Sequence, residues 1–398
     1  MKISTDLIIV TISVLVLIGY LFEITYRKFR IPSIIVLIVS GVLIKWFLSR
    51  YFHVDTIPML DVILGILGTI GLILIVLEGT LELKIRSNNL NLIRDGFVFA
   101  LLEMILITLI LSTYIINVKH FEWYQSVVNI LPFAVMSSAV AIPASQLLNK
   151  GDKFFVIYQS SFSDVLGVLF FNFFVLNEVI SWGVVGKFFL QIVLLLMISV
   201  IASVVLSFLL NRIRHKIKFI PIIVMMLLFY SALHYHHLPS LLFIMIFGLL
   251  LANFEFLSGI PWFRKLNIGS LESEVRQFDE LVSETTFVIK SLFFLLLGFR
   301  LNISNLLDFQ AFSWAVGIVM TVLGVRFFII KFLKIGSSNT LMIFPRGLIT
   351  ILLYYLLPPQ YRLPYFNDVT LTYIIFISLF FLILNNWIFH TKVELSDV

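Results

Sequence analysis

The chain has 398 residues, of which 60% are hydrophobic and 13% charged, and its mean hydropathy is +1.08. These proportions exclude a soluble globular protein and predict an all-α polytopic membrane protein. The chain has no cysteine, which excludes disulfides and thiolate metal sites. Its net charge of +6 comes from Lys and Arg in short loops, a distribution that indicates membrane topology and no nucleic-acid partner.

Apolar runs of about 17–25 residues, bounded by charges or proline, predict transmembrane helices. The chain has thirteen such runs, at 6 to 26, 31 to 48, 59 to 83, 96 to 118, 126 to 148, 153 to 180, 184 to 210, 219 to 235, 239 to 256, 283 to 303, 311 to 334, 338 to 357 and 370 to 392. The polar connection at 267–284 has apolar residues at helical spacing, so we expect a short helix along the membrane surface there. Residues 1–398 are predicted to form one transmembrane domain without a soluble regulatory domain.

The loops alternate in charge from one membrane side to the other. Of the 28 Lys and Arg residues, 18 fall in loops of one side and 7 in loops of the other, and three lie inside spans. The positive-inside rule then predicts an external amino terminus and a cytoplasmic carboxy terminus, in a bacterial plasma membrane. No phosphate-binding, dinucleotide-binding or HExxH motif occurs, which argues against ATP-driven transport and predicts no cofactor.

An internal repeat relates spans that are seven apart. The end of span 3, "VLEGTLELKIRSN", resembles the end of span 10, "LLLGFRLNISN", and spans 5 and 12 both carry a proline, Pro143 and Pro345. Because an offset of seven is odd, the copies run in opposite directions, which is typical of secondary transporters with broken helices at the midplane. We predict two inverted-topology repeats, at about 6–180 and 219–392, joined by a linking helix at 184–210. Chance similarity in Leu-rich sequence is the alternative.

Polar residues in spans 5 and 6 predict an ion site. Asp164 lies 11 residues beyond Lys153, or about 16 Å deep, and Ser137 and Ser138 reach the same level. Pro143 removes a backbone donor and frees a carbonyl nearby. A carboxylate, hydroxyls and carbonyls at one depth form the oxygen shell that a hard cation such as Na⁺ or K⁺ accepts. The alternative is close helix packing at the two serines with a simple kink at Pro143.

Further charged residues lie inside predicted spans, where charges are tolerated when they are paired or face water. We expect compensating sets among Asp164, Glu78, Glu103, Lys290, Arg326 and Arg346, with an ion-pair scaffold as the alternative for Arg326. Glu103 is expected near the interface, one turn into its span, and Glu78 near the cytoplasmic end of span 3. The cluster His234, His236 and His237 could bind metal or sense pH, but we expect an interfacial position in an outer loop.

Several segments, in order, resemble the monovalent cation:proton antiporter superfamily, the sodium/proton exchanger group of the CPA type. They are "RKFRIPSIIVLIVSGVLI", "LIVLEGTLELKI", "MSSAVAIPASQLL", "SFSDVLG", "SLFFLLLGFRLNI" and "FPRGLITILL". The resemblance implies thirteen helices in a homodimer that works by elevator-like alternating access. It implies a core domain of six helices, at about 96–180 and 311–392, and dimerisation helices at about 6–83 and 219–303.

The resemblance also implies roles for single residues. Asp164 matches the residue that alternately binds cation and proton, and Ser163 stands where the family usually has Asn or a second Asp. Ser137 and Ser138 match the unwound crossover, where many members have Thr-Asp. Gln159 stands where one branch has a Glu paired with an Arg of helix 11, here Arg326. Lys290 resembles a Lys of the electrogenic branch, with a spacing to Gly298 that differs by a turn.

These residues predict a transporter and no enzyme. It would exchange Na⁺ or K⁺ for H⁺ across the lipid membrane, with the transported cation and the proton competing for Asp164. One titrating acid favours electroneutral one-for-one exchange. The alternatives are a cation channel, an antiporter-like protein that has lost transport, and a membrane-embedded glycan polymerase or transferase, although the short outer loops argue against the last.

Overall fold

The computed structural model describes residues 5–24, 32–52, 60–81, 83, 90–212, 219–236, 238, 240–253, 268–301 and 308–389. Thirteen helical spans cover these ranges, and the fifth consists of two helices. They are α1 Thr5–Ile24, α2 Ser33–Phe52, α3 Leu60–Leu81, α4 Leu90–Tyr114, α5a Trp123–Ala134, α5b Ser138–Ser145, α6 Lys150–Leu176, α7 Trp182–Arg212, α8 Phe219–Tyr235, α9 Ser240–Ala252, α10 Ile268–Arg300, α11 Phe309–Phe328, α12 Leu348–Leu356 and α13 Asp368–Phe389. The predicted all-α fold with thirteen spans is confirmed.

The helices form because the backbone polar groups of an apolar run must be paired within the bilayer. Within the ranges described, nine helices are long and apolar enough to cross a membrane, and α8 and α9 are shorter apolar helices. The expectation of a separate surface helix at 267–284 is wrong, since α10 runs without interruption from Ile268 to Arg300. Its polar first half carries an exposed Arg276–Glu280 ion pair at i,i+4 spacing, which supports continuous helix.

Two spans are interrupted by extended chain. Between α5a and α5b, Val135 and Ser137 adopt extended backbone angles. In span 12, non-helical chain at 343–347, which contains Pro345, separates the short 3-10 turn Ser338–Thr340 from α12. Pro143, which was expected at the break, lies inside α5b, six residues after the interruption ends. The break forms earlier because the amides there bond to other spans, and Pro143 removes only the donor that would pair with Ala139.

The packing follows an offset of seven spans. α4 packs along α6 as α11 packs along α13, and α2 packs on α10 as α9 packs on α3. Both α4 and α11 continue into a π-helical turn, Ile115–Lys119 and Ile329–Leu333, that ends at a left-handed residue, His120 or Lys334. Because matching spans alternate in direction, this regularity shows the inverted repeat.

Helices pack in two groups. We call α4, α5a, α5b, α6, α11, α12 and α13 the core bundle, and α1, α2, α3, α8, α9 and α10 the scaffold bundle; α7 packs mainly on α9. Within the scaffold bundle, α2 and α10 touch through Gly41 and Gly298. A methyl group at Gly41 would collide with the Leu295 carbonyl, and one at Gly298 with the Ile38 carbonyl. The core bundle meets the scaffold bundle chiefly through α3, which contacts α5b, α6 and α12.

Candidate cation-binding site

Asp164 lies on α6 beside the first residue of α5b, and its side chain is buried, with 5% of the residue exposed. Its Oδ2 accepts a hydrogen bond from the Ser138 backbone N–H at 3.3 Å. Its Oδ1 is also buried and makes no hydrogen bond within the described part of the protein. Because a buried carboxylate is costly unless it is paired, Oδ1 is the atom of Asp164 that is open to a further partner.

The amino-terminal end of α5b supports the Asp164 carboxylate. Ser137 precedes the helix, and its carbonyl accepts the first helical hydrogen bonds, from Val140 at 3.3 Å and Ala141 at 3.0 Å. The Ser138 N–H is therefore free to point at Asp164. A helix amino terminus carries a partial positive charge that stabilises a nearby anion. The amino terminus of α5b thus stabilises the carboxylate through its partial charge.

The two extended chains cross in direct contact at this site. The Ser137 N–H donates to the Pro345 carbonyl at 2.9 Å, which joins the two chains. A Cβ at Gly347 would lie 2.7 Å from Ser137 Oγ, so the Ser137 hydroxyl would have to move aside for any larger residue there. Ser163 Oγ accepts a hydrogen bond from the Met136 N–H at 2.9 Å. These bonds replace the helical hydrogen bonds that the extended chains give up.

The scaffold bundle provides one wall of the site through Gly79 on α3. A Cβ at Gly79 would lie 3.2 Å from Ser138 Oγ and 3.6 Å from Asp164 Oδ2. Glycine at this position therefore lets the backbone of α3 approach the carboxylate closely. Glu78, the preceding residue, is half-buried. The "LEGT" segment of the sequence thus lies at the boundary between scaffold and core bundles.

Arg326 on α11 forms a buried ion pair next to the crossing. Its Nη1 lies 2.8 Å from Glu103 Oε2, and both side chains are almost fully buried. Its Nε and Nη2 donate to the Leu341 and Thr340 carbonyls at 3.0 Å and 2.8 Å. Gln159 bridges the pair, since its Nε2 donates to Glu103 Oε2 at 2.8 Å and its Oε1 accepts from Arg326 Nη2 at 3.4 Å. Gln159 and Arg326 are thus in contact, as the resemblance implies.

Arg346 adds a second buried guanidinium to the same acid. Its Nη2 lies 3.6 Å from Glu103 Oε1, and its Nη1 donates to the Phe344 carbonyl at 3.4 Å. Its backbone N–H donates to Ser378 Oγ on α13 at 3.0 Å. We call Glu103, Arg326, Arg346 and Gln159 the charged cluster. Its two guanidiniums and one carboxylate leave one surplus positive charge beside the crossing.

The expected interfacial position of Glu103 is wrong, because only 2% of the residue is exposed. The prediction started span 4 at residue 96, whereas α4 begins at Leu90 and extends six residues further towards the membrane surface. Glu103 therefore lies nearly four turns into its helix. Its position midway along an apolar helix was the signal that residue counting from 96 missed.

Lys290 on α10 lies outside the charged cluster, although it is also buried. It lines a small cleft together with Ala139, Val140 and Pro143 of α5b and the segment 32–34. Its Nζ lies 5.7 Å from the centre of the Phe287 ring. Lys290 thus faces α5b from the scaffold bundle.

The histidines lie apart from the crossing. His234 stacks on Tyr230 near the end of α8, His236 is exposed, and His237 lies outside the described residues. Within the described ranges, no three His, Cys, Asp or Glu side chains form a group that could hold a metal ion.

The comparisons with known proteins agree with this architecture. The sequence profile described as "Sodium/hydrogen exchanger, transmembrane" matches residues 12–390. The chain belongs to this family. It is therefore an integral, multi-pass membrane protein of a cation:proton antiporter family and not an enzyme. No curated protein sequence matches the chain.

Two solved structures with the same fold are those of the sodium proton antiporter MjNhaP1 from Methanocaldococcus jannaschii. One, at pH 8, superimposes with a TM-score of 0.68 at 17% identity and covers 96% of each chain. The other, from electron microscopy, has a TM-score of 0.64 at 16% identity and covers 97% of this chain and 95% of that one. The exchanger fold thus extends over almost the whole protein.

Proposed function

We propose that the protein exchanges a monovalent cation, Na⁺ or K⁺, for H⁺ by alternating access, and that Asp164 binds the two ions in competition. The observation that carries this proposal is the buried Asp164 carboxylate, whose Oδ1 makes no hydrogen bond among the described residues. A carboxylate in this state is stabilised either by a proton or by a bound cation. Each excludes the other, which is the requirement for coupled exchange.

The oxygen atoms around Asp164 suit a hard monovalent cation. Ser137 and Ser138 bring hydroxyl oxygens to the crossing, and residues 135 and 136, between the two helices, bring backbone carbonyls that lie outside both helices. Ser163 stabilises the crossing by accepting from Met136. Oxygen ligands of this kind replace the hydration shell of Na⁺ or K⁺.

The ion pairs around Glu103 support one-for-one exchange. Glu103 is already bound to Arg326 and lies close to Arg346, so its negative charge is compensated within the protein. Asp164 is then the carboxylate at the crossing that a proton and a cation neutralise in turn. Because each transport step moves one positive charge in either direction, the complete cycle is electroneutral.

Alternating access requires the core bundle to move against the scaffold bundle. The boundary at Gly79 supports this division, because it brings α3 against the site without a side chain that crosses into the core bundle. We propose that the core bundle carries the ion and that the scaffold bundle forms a homodimer. The mass of the detergent-solubilised protein tests the dimer independently of transport.

Proton exchange in proteoliposomes tests the function. Na⁺, K⁺ or Li⁺ is added to vesicles that contain the wild-type protein, and an internal pH dye reports cation-dependent proton movement. The Asp164→Asn variant keeps the size of the side chain but cannot alternate between bound proton and cation. We expect it to lose exchange completely.

Asp95→Asn is the matched control, because Asp95 is partly exposed near the start of α4 and pairs with its neighbour Arg94 at 2.9 Å. It should exchange at the wild-type rate. Retained exchange in folded Asp164→Asn protein would refute the proposal. An imposed membrane potential tests the stoichiometry, since a strong voltage effect would contradict one-for-one exchange.

A further inference from the structure

The carboxylate that compensates two buried arginines comes from α4 and not from α6, although α6 has a polar side chain in contact with the same group. Glu103 Oε2 accepts from Arg326 Nη1 and from Gln159 Nε2, both at 2.8 Å. Gln159 Oε1 in turn accepts from Arg326 Nη2 at 3.4 Å. The carboxylate of Glu103, on α4, and the amide of Gln159, on α6, therefore lie next to each other, and both contact the guanidinium of Arg326.

Each guanidinium in the charged cluster holds main chain near the second interruption. Arg326 binds the carbonyls of Thr340 and Leu341, which precede the non-helical stretch at 343–347. Arg346 belongs to that stretch and donates to the Phe344 carbonyl. Without a compensating carboxylate, the two buried guanidiniums would repel each other. Glu103 therefore allows both to stay buried against this part of the chain.

The same cluster reaches the first interruption. Arg326 Nη1 lies 4.0 Å from the sulfur of Met136. The backbone N–H of Met136 donates to the hydroxyl of Ser163, which precedes Asp164 in the chain. The second interrupted chain contacts the first through the Ser137 N–H bond to Pro345. Contacts thus run continuously from Glu103 through the guanidiniums to both extended chains and to the carboxylate.

We propose that Glu103 is a positioning residue for the cation site: it fixes Arg326 and Arg346, and these fix the crossing that presents Ser138 to Asp164. This inference rests on the proposed function, because its effect is measured as exchange. Within the described part of the protein, the polar partners of Glu103 are Arg326, Gln159 and Arg346, and Asp164 is not among them. Glu103 acts by position and charge, and the charge can be supplied from either α4 or α6.

Exchanging the acid and the amide tests this inference directly. In Glu103→Gln, the cluster loses its carboxylate and both guanidiniums lose their counter-ion. In the double variant E103Q/Q159E, the net charge and the number of carboxylates return to the wild-type values, with the acid now beside Arg326 from α6. The two variants differ from each other only at position 159.

We expect Glu103→Gln to raise the apparent cation KM and to lower the exchange rate by about tenfold or more. The double variant should recover most of the rate and bring the KM to within about threefold of wild type, since Arg346 keeps a less direct partner. Glu280→Gln, at an exposed residue on α10, is the matched control and should leave both parameters unchanged. A simple loss of folded protein would lower the rate without changing the KM.

Wild-type KM and rate in Glu103→Gln would overturn the inference. So would a double variant that folds but exchanges no better than Glu103→Gln. If Glu103→Gln does not fold, the double variant decides: a double variant that folds and exchanges supports the inference, and one that folds without exchanging overturns it. Asp164→Asn, measured in parallel, separates this result from the proposed function: inactive Asp164→Asn with unaffected Glu103→Gln contradicts only the role of Glu103.

Discussion

The two interrupted spans have similar backbones but different electrostatic environments. Both break into extended chain, and the chains meet where the Ser137 N–H donates to the Pro345 carbonyl at 2.9 Å. The first interruption leads into α5b, whose amino terminus faces the carboxylate of Asp164. The second leads into α12, and the residue two positions before that helix is Arg346.

The two interrupted spans thus differ in how their charges are balanced. The partial positive charge at the start of α5b is balanced by Asp164, which we propose is also the exchangeable ligand. At α12 an arginine adds to the positive helix end, and Glu103 must balance it from α4. The crossing thus has two kinds of charge. We propose that Asp164 exchanges its partner ion, whereas the groups of the charged cluster pair with one another.

Removing the fixed charge at Arg326 is expected to have the largest effect on stability. Arg326→Gln would leave Glu103 without its closer guanidinium and would remove the donors to the Leu341 and Thr340 carbonyls. Breaking a buried ion pair costs about 3–5 kcal/mol. We expect a much lower melting temperature in detergent and no measurable exchange.

Arg276→Gln provides the control for this variant. Arg276 is exposed on α10 and pairs with Glu280 one turn away, an interaction worth about 0.3–0.5 kcal/mol. Its melting temperature should stay at the wild-type value. Equal melting temperatures for Arg326→Gln and wild type would show that the second interruption does not depend on its charges.

A smaller effect is expected at the first interruption from Ser163→Ala. This change removes the acceptor of the Met136 N–H and leaves a buried donor unpaired, at a cost of about 1–3 kcal/mol. We expect reduced stability and slower exchange, measured on the same preparation.

Ser161→Ala on the same helix is a close control for Ser163→Ala. The Ser161 hydroxyl is buried but makes no hydrogen bond within the described part of the protein. Its removal should leave stability unchanged or increase it. If the two alanine variants behave alike, the hydrogen bond to Met136 does not hold the first chain.

The sequence predicted the number of spans well, because hydropathy and charge are local properties of a chain that must pair its backbone within the bilayer. Counting along helices also placed Ser138 and Asp164 at one depth, since the rise per residue is constant. The start of the first interruption could not be predicted in this way. It depends on acceptors in other spans, Pro345 and Ser163, whereas Pro143 was the local signal.

Local sequence patterns also could not predict which residues pair within the charged cluster. Residue counting predicted that charges inside spans would be compensated, but not that one acid would serve two arginines. Glu103 and Arg326 are 223 positions apart. Their contact requires that α4 and α11, which belong to different copies of the repeat, pack against each other.

The smallest effect, and the sharpest test of the comparison, is expected at Gly79. Gly79 is the glycine of the segment "VLEGTLELKIRSN" and Gly298 that of the similar segment "LLLGFRLNISN", but their surroundings differ. Gly298 packs against the backbone of α2, whereas Gly79 faces Ser138 and Asp164. A methyl group at Gly79 would lie 3.2 Å from Ser138 Oγ, so the hydroxyl must shift slightly.

Overpacking of this kind costs about 1 kcal/mol at its lower limit. If the cost falls on cation binding, Gly79→Ala should raise the apparent cation KM by about fivefold while the protein remains folded. Gly65→Ala is the control on the same helix, since a methyl group there would meet no atom within 4 Å. A KM that rises only in Gly79→Ala would place α3 at the ion, on the side of the first interrupted span. If both variants keep the wild-type KM, the cation binds away from α3, and the division of roles between the two spans must then rest on Asp164 and the charged cluster alone.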